Sequence, residues 1–134
     1  MHYLDTNILI YACVNQDDEK MKQSQAFIRK LQNRDELLLS PLNLQEFVFT
    51  LSKINVPRDH IESSYKLFRH FCRYPIHTAL LDDAVSACLE LDFCKNINDI
   101  IHLKFSEQHG SELSTFDKDF IKLQDISRVK INIL

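Results

Sequence analysis

Leu37-Leu38-Leu39-Ser40-Pro41-Leu42-Asn43-Leu44-Gln45-Glu46-Phe47 decides the fold. Three consecutive leucines are too short a run for a helix and show no polar alternation, so they read as a strand buried on both faces. Ser40 is a good N-cap and Pro41 falls at the first helical position, where proline is tolerated, so a helix opens at once and runs from 42 to about 54. A doubly buried strand that feeds directly into a helix is the βα unit of a parallel sheet.

The same grammar recurs on both sides. Upstream, residues 2–5 are a short strand, and Thr6 caps a helix through Ile8–Val14. Residues 19–33 place Met21, Ser24, Phe27, Ile28 and Leu31 on one helical stripe. Downstream, Pro57 closes the helix that began at 42, and 58–73 is another, with Ile61, Tyr65, Leu67, Phe68 and Phe71. Its aromatics read as core or dimer interface rather than as a base-stacking platform. Residues 75–80 are extended or irregular, and Asp82 starts a helix through Leu91. A helix from about 97 to 108 ends at Gly110, where a left-handed residue is expected to stop it. Leu113–Phe116 and Val129–Leu134 are the last strands. With no hairpin signal and helices between strands, the expectation is α/β: a three-layer α/β/α sandwich around a mainly parallel four- or five-stranded sheet, with residues 1–134 forming one domain.

Composition narrows the function. Of 134 residues, 45% are hydrophobic and 26% charged, which excludes a disordered or collagenous chain. The net charge of −3 gives the whole surface no strong pull on nucleic acid or anionic lipid. Any RNA contact then falls to local residues such as Lys95, Lys104, Lys118, Arg69 and Arg73, whose ordinary role is as solvated surface charges. No apolar run approaches the roughly 18 residues of a membrane span, and the N-terminus has no signal-peptide pattern, so the expectation is no membrane and a cytoplasmic location. A single glycine excludes phosphate-cradling loops, which need several. Cys13, Cys72, Cys88 and Cys94 show no metal or dithiol spacing and read as reduced thiols.

Open α/β sheets bind ligands beyond the carboxyl ends of their strands. Four acidic residues belong there: Asp5 after the first strand, Glu46 just past the first turn of the helix after the second, Asp99 in the opening turn of a helix, and Asp117 directly after Ser114-Thr115-Phe116. Each also has an ordinary structural role. Asp117 would cap the helix into Phe120, Asp99 would pair with Asn96 or offset the helix dipole, and Asp5 would bond the amides of Thr6 and Asn7. Glu46 shares its helical row with Leu42, Phe49 and Thr50, so it is expected to be half buried and in need of a partner, for which Lys53 is one option. Convergence decides for chemistry. Three or four carboxylates meeting at one rim repel one another; neutralising them takes protonation or a hard cation, and Mg²⁺ or Mn²⁺ suits oxygen-only ligands. Asp119 and Asp82 or Asp83 compete for the fourth position, and Asp117 is preferred because it is immediately strand-terminal. His102, three residues after Asp99 on roughly the same helical face, is within reach of a metal or a phosphate, but its ordinary reading as an exposed polar-face histidine is preferred.

Leu4-Asp5-Thr6-Asn7, Gln45-Glu46-Phe47, Asn98-Asp99-Ile100-Ile101 and Thr115-Phe116-Asp117-Lys118-Asp119-Phe120, in that order, resemble the PIN-domain nucleases, and within them the VapC-type toxins of toxin–antitoxin pairs. The resemblance spans essentially the whole chain. It implies a Mg²⁺- or Mn²⁺-dependent endoribonuclease that attacks in line with an activated water and leaves 3′-hydroxyl and 5′-phosphate ends. Asp5, Glu46, Asp99 and Asp117 would be the metal-binding quartet, and Thr6, Asn7 and Thr115 polar residues that hold it. The implied partners are an RNA substrate, a cognate antitoxin and a second copy in a homodimer. A signalling receiver domain would need adjacent acids after the first strand, where Thr6 and Asn7 stand, and a phosphorylatable Asp after a central strand, where Leu37–Leu39 runs into Ser-Pro. A haloacid-dehalogenase-like phosphatase would need an Asp at Asn7. The remaining alternative is a catalytically silent PIN-like scaffold acting through protein contacts, whose mark would be a lost acid.

Overall fold

The computed structural model describes residues 1–134. Four short strands, β1 (His2–Leu4), β2 (Leu37–Leu38), β3 (Glu112–Thr115) and β4 (Lys130–Ile133), form one sheet in the order β2-β1-β3-β4, and every pairing is parallel. The helices are α1 (Thr6–Cys13), α2 (Asp18–Asn33), α3 (Pro41–Lys53), α4 (Arg58–Arg69), α5 (Thr78–Leu91) and α6 (Ile97–His109).

Strand alternation splits the core in two. Tyr3 is in register with Leu38 on one side and Leu113 on the other, and Leu113 with Ile131. That row packs with Leu80, Ala84 and Cys88 of α5 and Ile100, Leu103 and Phe105 of α6. Leu4 and Leu37 point the opposite way, into Ile8, Leu9, Leu31, Phe47, Leu51 and Phe68 of the remaining helices. Each such leucine or isoleucine, once buried, contributes roughly 2 kcal/mol relative to exposure. The result is the expected three-layer sandwich with a sheet of four strands.

Several boundaries differ, each for a local reason. Asp5, not Thr6, caps α1: its carboxylate accepts the Thr6 N–H at 2.7 Å, and Thr6 lies inside the helix. Leu39 leaves the strand and makes a single parallel bridge to Cys72, because α4 stops at Arg69 and the chain beyond it turns back along the free edge of β2. β2 is therefore an edge strand of the sheet, not a central one. α5 begins at Thr78, one turn before Asp82. The segment after β3 is a 3₁₀ turn, Lys118–Leu123, capped by Asp117. Gly110 is extended rather than left-handed, with φ −129° and ψ −176°. Space explains it: a Cβ there would lie 3.1 Å from the Ser106 carbonyl oxygen and 3.2 Å from that of Met1. The left-handed positions fall instead to Asp35, Asn55 and Asp92, polar residues that tolerate them in a chain with one glycine.

Candidate active site

β1 has β2 on one side and β3 on the other, so the strand order switches direction beside β1, and past the carboxyl ends of β1 and β3 lies the crevice where open parallel sheets bind their ligands. Asp5 leaves β1 into this crevice and is buried, 8% exposed. Its Oδ1 accepts the Thr6 N–H, and its Oδ2 accepts the Thr115 hydroxyl at 2.6 Å. Thr115 is fixed in turn, its Oγ1 accepting from Asn7 Nδ2 at 3.2 Å and from the Asp117 N–H at 2.9 Å. Asn7 also accepts the Phe116 N–H. The residues after β1 and after β3 are thus laced together at the crevice floor.

Glu46 reaches the same floor from α3. Ser40 caps that helix through a capping box with Asn43, whose Nδ2 donates to the Leu4 carbonyl and to Thr6 Oγ1, both at 3.0 Å. The register of α3 against β1 is set this way, and Glu46 Oε1 then accepts the Thr6 hydroxyl at 2.7 Å. Glu46 is half-buried as expected, although Val48 and Phe49 beside it are exposed and Lys53 is not its partner. The partner is His102.

His102 is buried, 1% exposed, contrary to the exposed histidine expected from α6 alone. Its Nε2 lies 2.6 Å from Glu46 Oε1 and 3.7 Å from Asp5 Oδ1. Its Nδ1 meets the hydroxyl of Tyr3, which also contacts Ser40 Oγ at 2.9 Å. One atom from each of Asp5, Glu46 and His102 falls within a 4.8 Å cluster. The sequence names this residue as one that could approach a metal, but the preference for an exposed face overlooks a signal in α6 itself. Only Asn98 and Gln108 of α6 are exposed, and Ile97, Ile100, Ile101, Leu103 and Phe105 wrap more than half of its circumference. A helix apolar on that much of its surface is internal, so its remaining polar stripe, Asp99, His102 and Ser106, is enclosed and must find partners.

Asp99 is half-buried at the start of α6, and its nearest donor is Asn96 Nδ2 at 3.4 Å. Burial, then the charge of Asp5 and further out that of Asp117, raises its carboxyl to about 6. Asp117, half-buried after β3, accepts the Asp119 N–H on Oδ1 at 2.8 Å. Asp119, Asp82 and Asp83 are exposed, the latter two on α5. Burial also raises Asp5, against the opposing pull of His102 and the Thr115 hydroxyl. Burial acts on Glu46 too, but the hydrogen bond and charge of His102, with the Thr6 and Asn98 bonds, outweigh it and bring the carboxyl below its ordinary value. On His102, burial is likewise overcome by Glu46 and Asp5, which raise the imidazole. The crevice therefore holds more negative charge than its one buried imidazole offsets.

This arrangement can be set beside known proteins. The family model described as PIN domain matches residues 2–126. The chain belongs to the PIN domain family. No curated protein sequence matches it. Among solved structures, this PIN domain is similar to a chain in the crystal structure of VapBC2 from Rickettsia felis bound to a DNA fragment from their promoter, with a TM-score of 0.68 at 18% identity over 99% of this chain and 98% of that one. At that identity the likeness is one of fold. No helix of the PIN domain is long and apolar enough to cross a membrane.

Proposed function

We propose that the protein is a Mg²⁺- or Mn²⁺-dependent endoribonuclease that works in the cytoplasm as the toxin of a toxin–antitoxin pair. The observation that carries the reading is geometric: ligand atoms of Asp5 and Glu46, with His102, lie within 4.8 Å of one another at the crevice floor, and Asp99 lies near enough that burial and then the charge of Asp5 raise its carboxyl. A group of carboxylates with a single imidazole among them supports a hard divalent cation as the neutralising partner. Asp5, Glu46, Asp99 and Asp117 would hold it. When bound, the cation polarises a phosphoryl oxygen and makes water more acidic, the chemistry that phosphodiester hydrolysis needs.

The chain's own residues do the rest. Thr115 and the Thr6 amide fix both oxygens of Asp5, and Thr6 and Asn98 hold Glu46 from either side. Asn7 keeps Thr115 aimed. Lys95 and Lys118, exposed and next in sequence to Asn96 and Asp117, supply local positive charge for the RNA backbone on an otherwise acidic protein. Arg73 and Lys104 are engaged with Asp35 and Glu107 instead. The similarity to a VapBC2 chain supports a cognate antitoxin as partner, and the exposed Val48, Phe49 and Tyr65 on the outer side of α3 and α4 offer an apolar surface for that protein or for the second copy of a homodimer. A silent scaffold would lack one of the four acids, and all four are present.

The test is direct. Purified protein cuts a structured RNA with Mg²⁺ or Mn²⁺ and stops with EDTA, and Asp5→Asn abolishes cutting while the fold persists. Cutting that survives complete metal removal, or an Asp5→Asn variant as fast as wild type, overturns the reading.

A further inference from the structure

His102 is the one side chain of the crevice floor that the acidic quartet leaves without a task. Its ring is enclosed, so no water satisfies it, and each nitrogen has a protein partner. Nε2 faces two acceptors, Glu46 Oε1 at 2.6 Å and Asp5 Oδ1 at 3.7 Å. A bare nitrogen there would set its lone pair against those of two carboxylates, so Nε2 carries a proton and donates it. The Tyr3 hydroxyl on Nδ1, itself in contact with Ser40 Oγ at 2.9 Å, locks the ring from behind.

The consequence falls on Glu46. Its Oε1 already accepts from Thr6 Oγ1 at 2.7 Å and from His102, which fills both lone-pair directions of that oxygen. Its Oε2 has one partner, the exposed Asn98 Nδ2 at 3.1 Å, on the side open to solvent. We propose that His102 is a positioning residue: its Nε2–H, together with the Thr6 hydroxyl, occupies Oε1 of Glu46 and so presents Oε2 to the divalent cation. This rests on the nuclease reading, with Glu46 as a ligand. It differs from the alternative in which the imidazole itself ligates the ion, for which Nε2 would have to lose its proton. Tyr3 and Ser40 then belong to the same support, a buried chain from Ser40 through Tyr3 and His102 to the carboxylate.

Mn²⁺ binding to the full-length protein, followed by electron paramagnetic resonance with spin-echo detection of coordinated nitrogen, separates the possibilities. His102→Leu is expected to weaken Mn²⁺ binding about 10- to 100-fold, the usual cost of removing a ligand's hydrogen-bond partner. His102→Gln, whose terminal amide places an N–H near the position of Nε2–H, restores affinity to within a few-fold of wild type. Tyr3→Phe, which keeps the ring volume and removes only the hydroxyl, weakens binding measurably and covers the case in which His102→Leu does not fold. Wild-type protein shows no directly coordinated nitrogen. A nitrogen bound to Mn²⁺, wild-type affinity in His102→Leu and Tyr3→Phe, or failure of His102→Gln to rescue a folded protein overturns the positioning role alone. Wild-type protein that takes up no Mn²⁺ overturns the nuclease reading and this inference with it.

Discussion

Glu46 and Asp99 are both half-buried carboxylates on the same crevice, yet they shift in opposite directions. Glu46 accepts from Thr6, His102 and Asn98 and lies below its ordinary value, whereas Asp99 has one bond, from Asn96 at 3.4 Å, and is raised to about 6. Depth is matched, so the difference lies in donors and in neighbouring charge. α3 delivers its carboxylate into a prepared socket. α6 delivers its carboxylate to a place facing Asp5 and Asp117 with little to offset them. One side of the crevice is organised by the chain's own donors, and the other keeps charge that, on the proposed reading, a bound cation would offset.

The largest effect separating the two sides follows from Glu46→Gln. Cutting should fall by more than the roughly 100-fold that losing a ligand's hydrogen-bond partner costs, because the ligand's own charge is gone. The metal-free fold should also become less stable at pH 7. With a folded pKa below the ordinary 4.5, Glu46 contributes stability that is full above that pH and lost as pH falls through the folded value. Thermal melts in EDTA across pH check the sign, and a Glu46→Gln variant as stable as wild type at pH 7 would mean the socket contributes nothing.

Next in size is Thr6→Val, which keeps the shape and removes the hydroxyl between Asn43 and Glu46. Mn²⁺ affinity and cutting should drop about 10-fold or somewhat more, with a smaller loss of stability. Titration calorimetry would show it. An unchanged affinity would leave His102 as the sole organiser of Oε1.

Asp99→Asn should behave in the reverse sense. A folded pKa of about 6 against an ordinary 3.8 means the folded chain holds that proton more tightly than the unfolded chain. Stability of the metal-free protein therefore falls as pH rises from about 4 to about 6 and stays low above it. Removing the charge should raise the metal-free melting temperature at pH 7.5 by about 4 °C, after solvent screening reduces the gain to about 1 kcal/mol, while cutting is lost. If Glu46→Gln and Asp99→Asn move stability the same way, the contrast between the two sides is wrong.

How far this was legible in the sequence follows the range of the interactions. The βα grammar of Leu37-Leu38-Leu39-Ser40-Pro41 is local, since capping chemistry and the apolar run lie within a few residues, and the sandwich with a mainly parallel sheet of four or five strands followed from such units; the count of four comes from the structure. Asp5 and Asp117 lie where strand ends put them. The edge position of β2 and the bridge from Leu39 to Cys72 depend on how α4 ends in space, which no local pattern encodes. Gly110 was assigned a conformational reason when its reason is steric, from Met1 and Ser106, at opposite ends of the chain in one case. The exposed reading of His102 fails because its face of α6 is enclosed by Tyr3 of β1 and Glu46 of α3, contacts 99 and 56 residues away.

The smallest test probes the weak side directly. Asn96→Ala removes the only side-chain donor to Asp99, a bond already at the long limit of 3.4 Å. Because that bond favours the charged carboxylate, its loss should move Asp99 slightly above its present value of about 6, so Mn²⁺ binding requires a slightly higher pH. The change in affinity at pH 7.5 should be under about twofold, since a stretched and partly solvated hydrogen bond contributes little. At pH 5.5, where Asp99 must give up its proton to bind a cation, the penalty should be larger. An equal loss at both pH values would mean Asn96 acts on packing rather than on this carboxylate, and a loss as large as that of Thr6→Val would place Asp99 in a socket of its own.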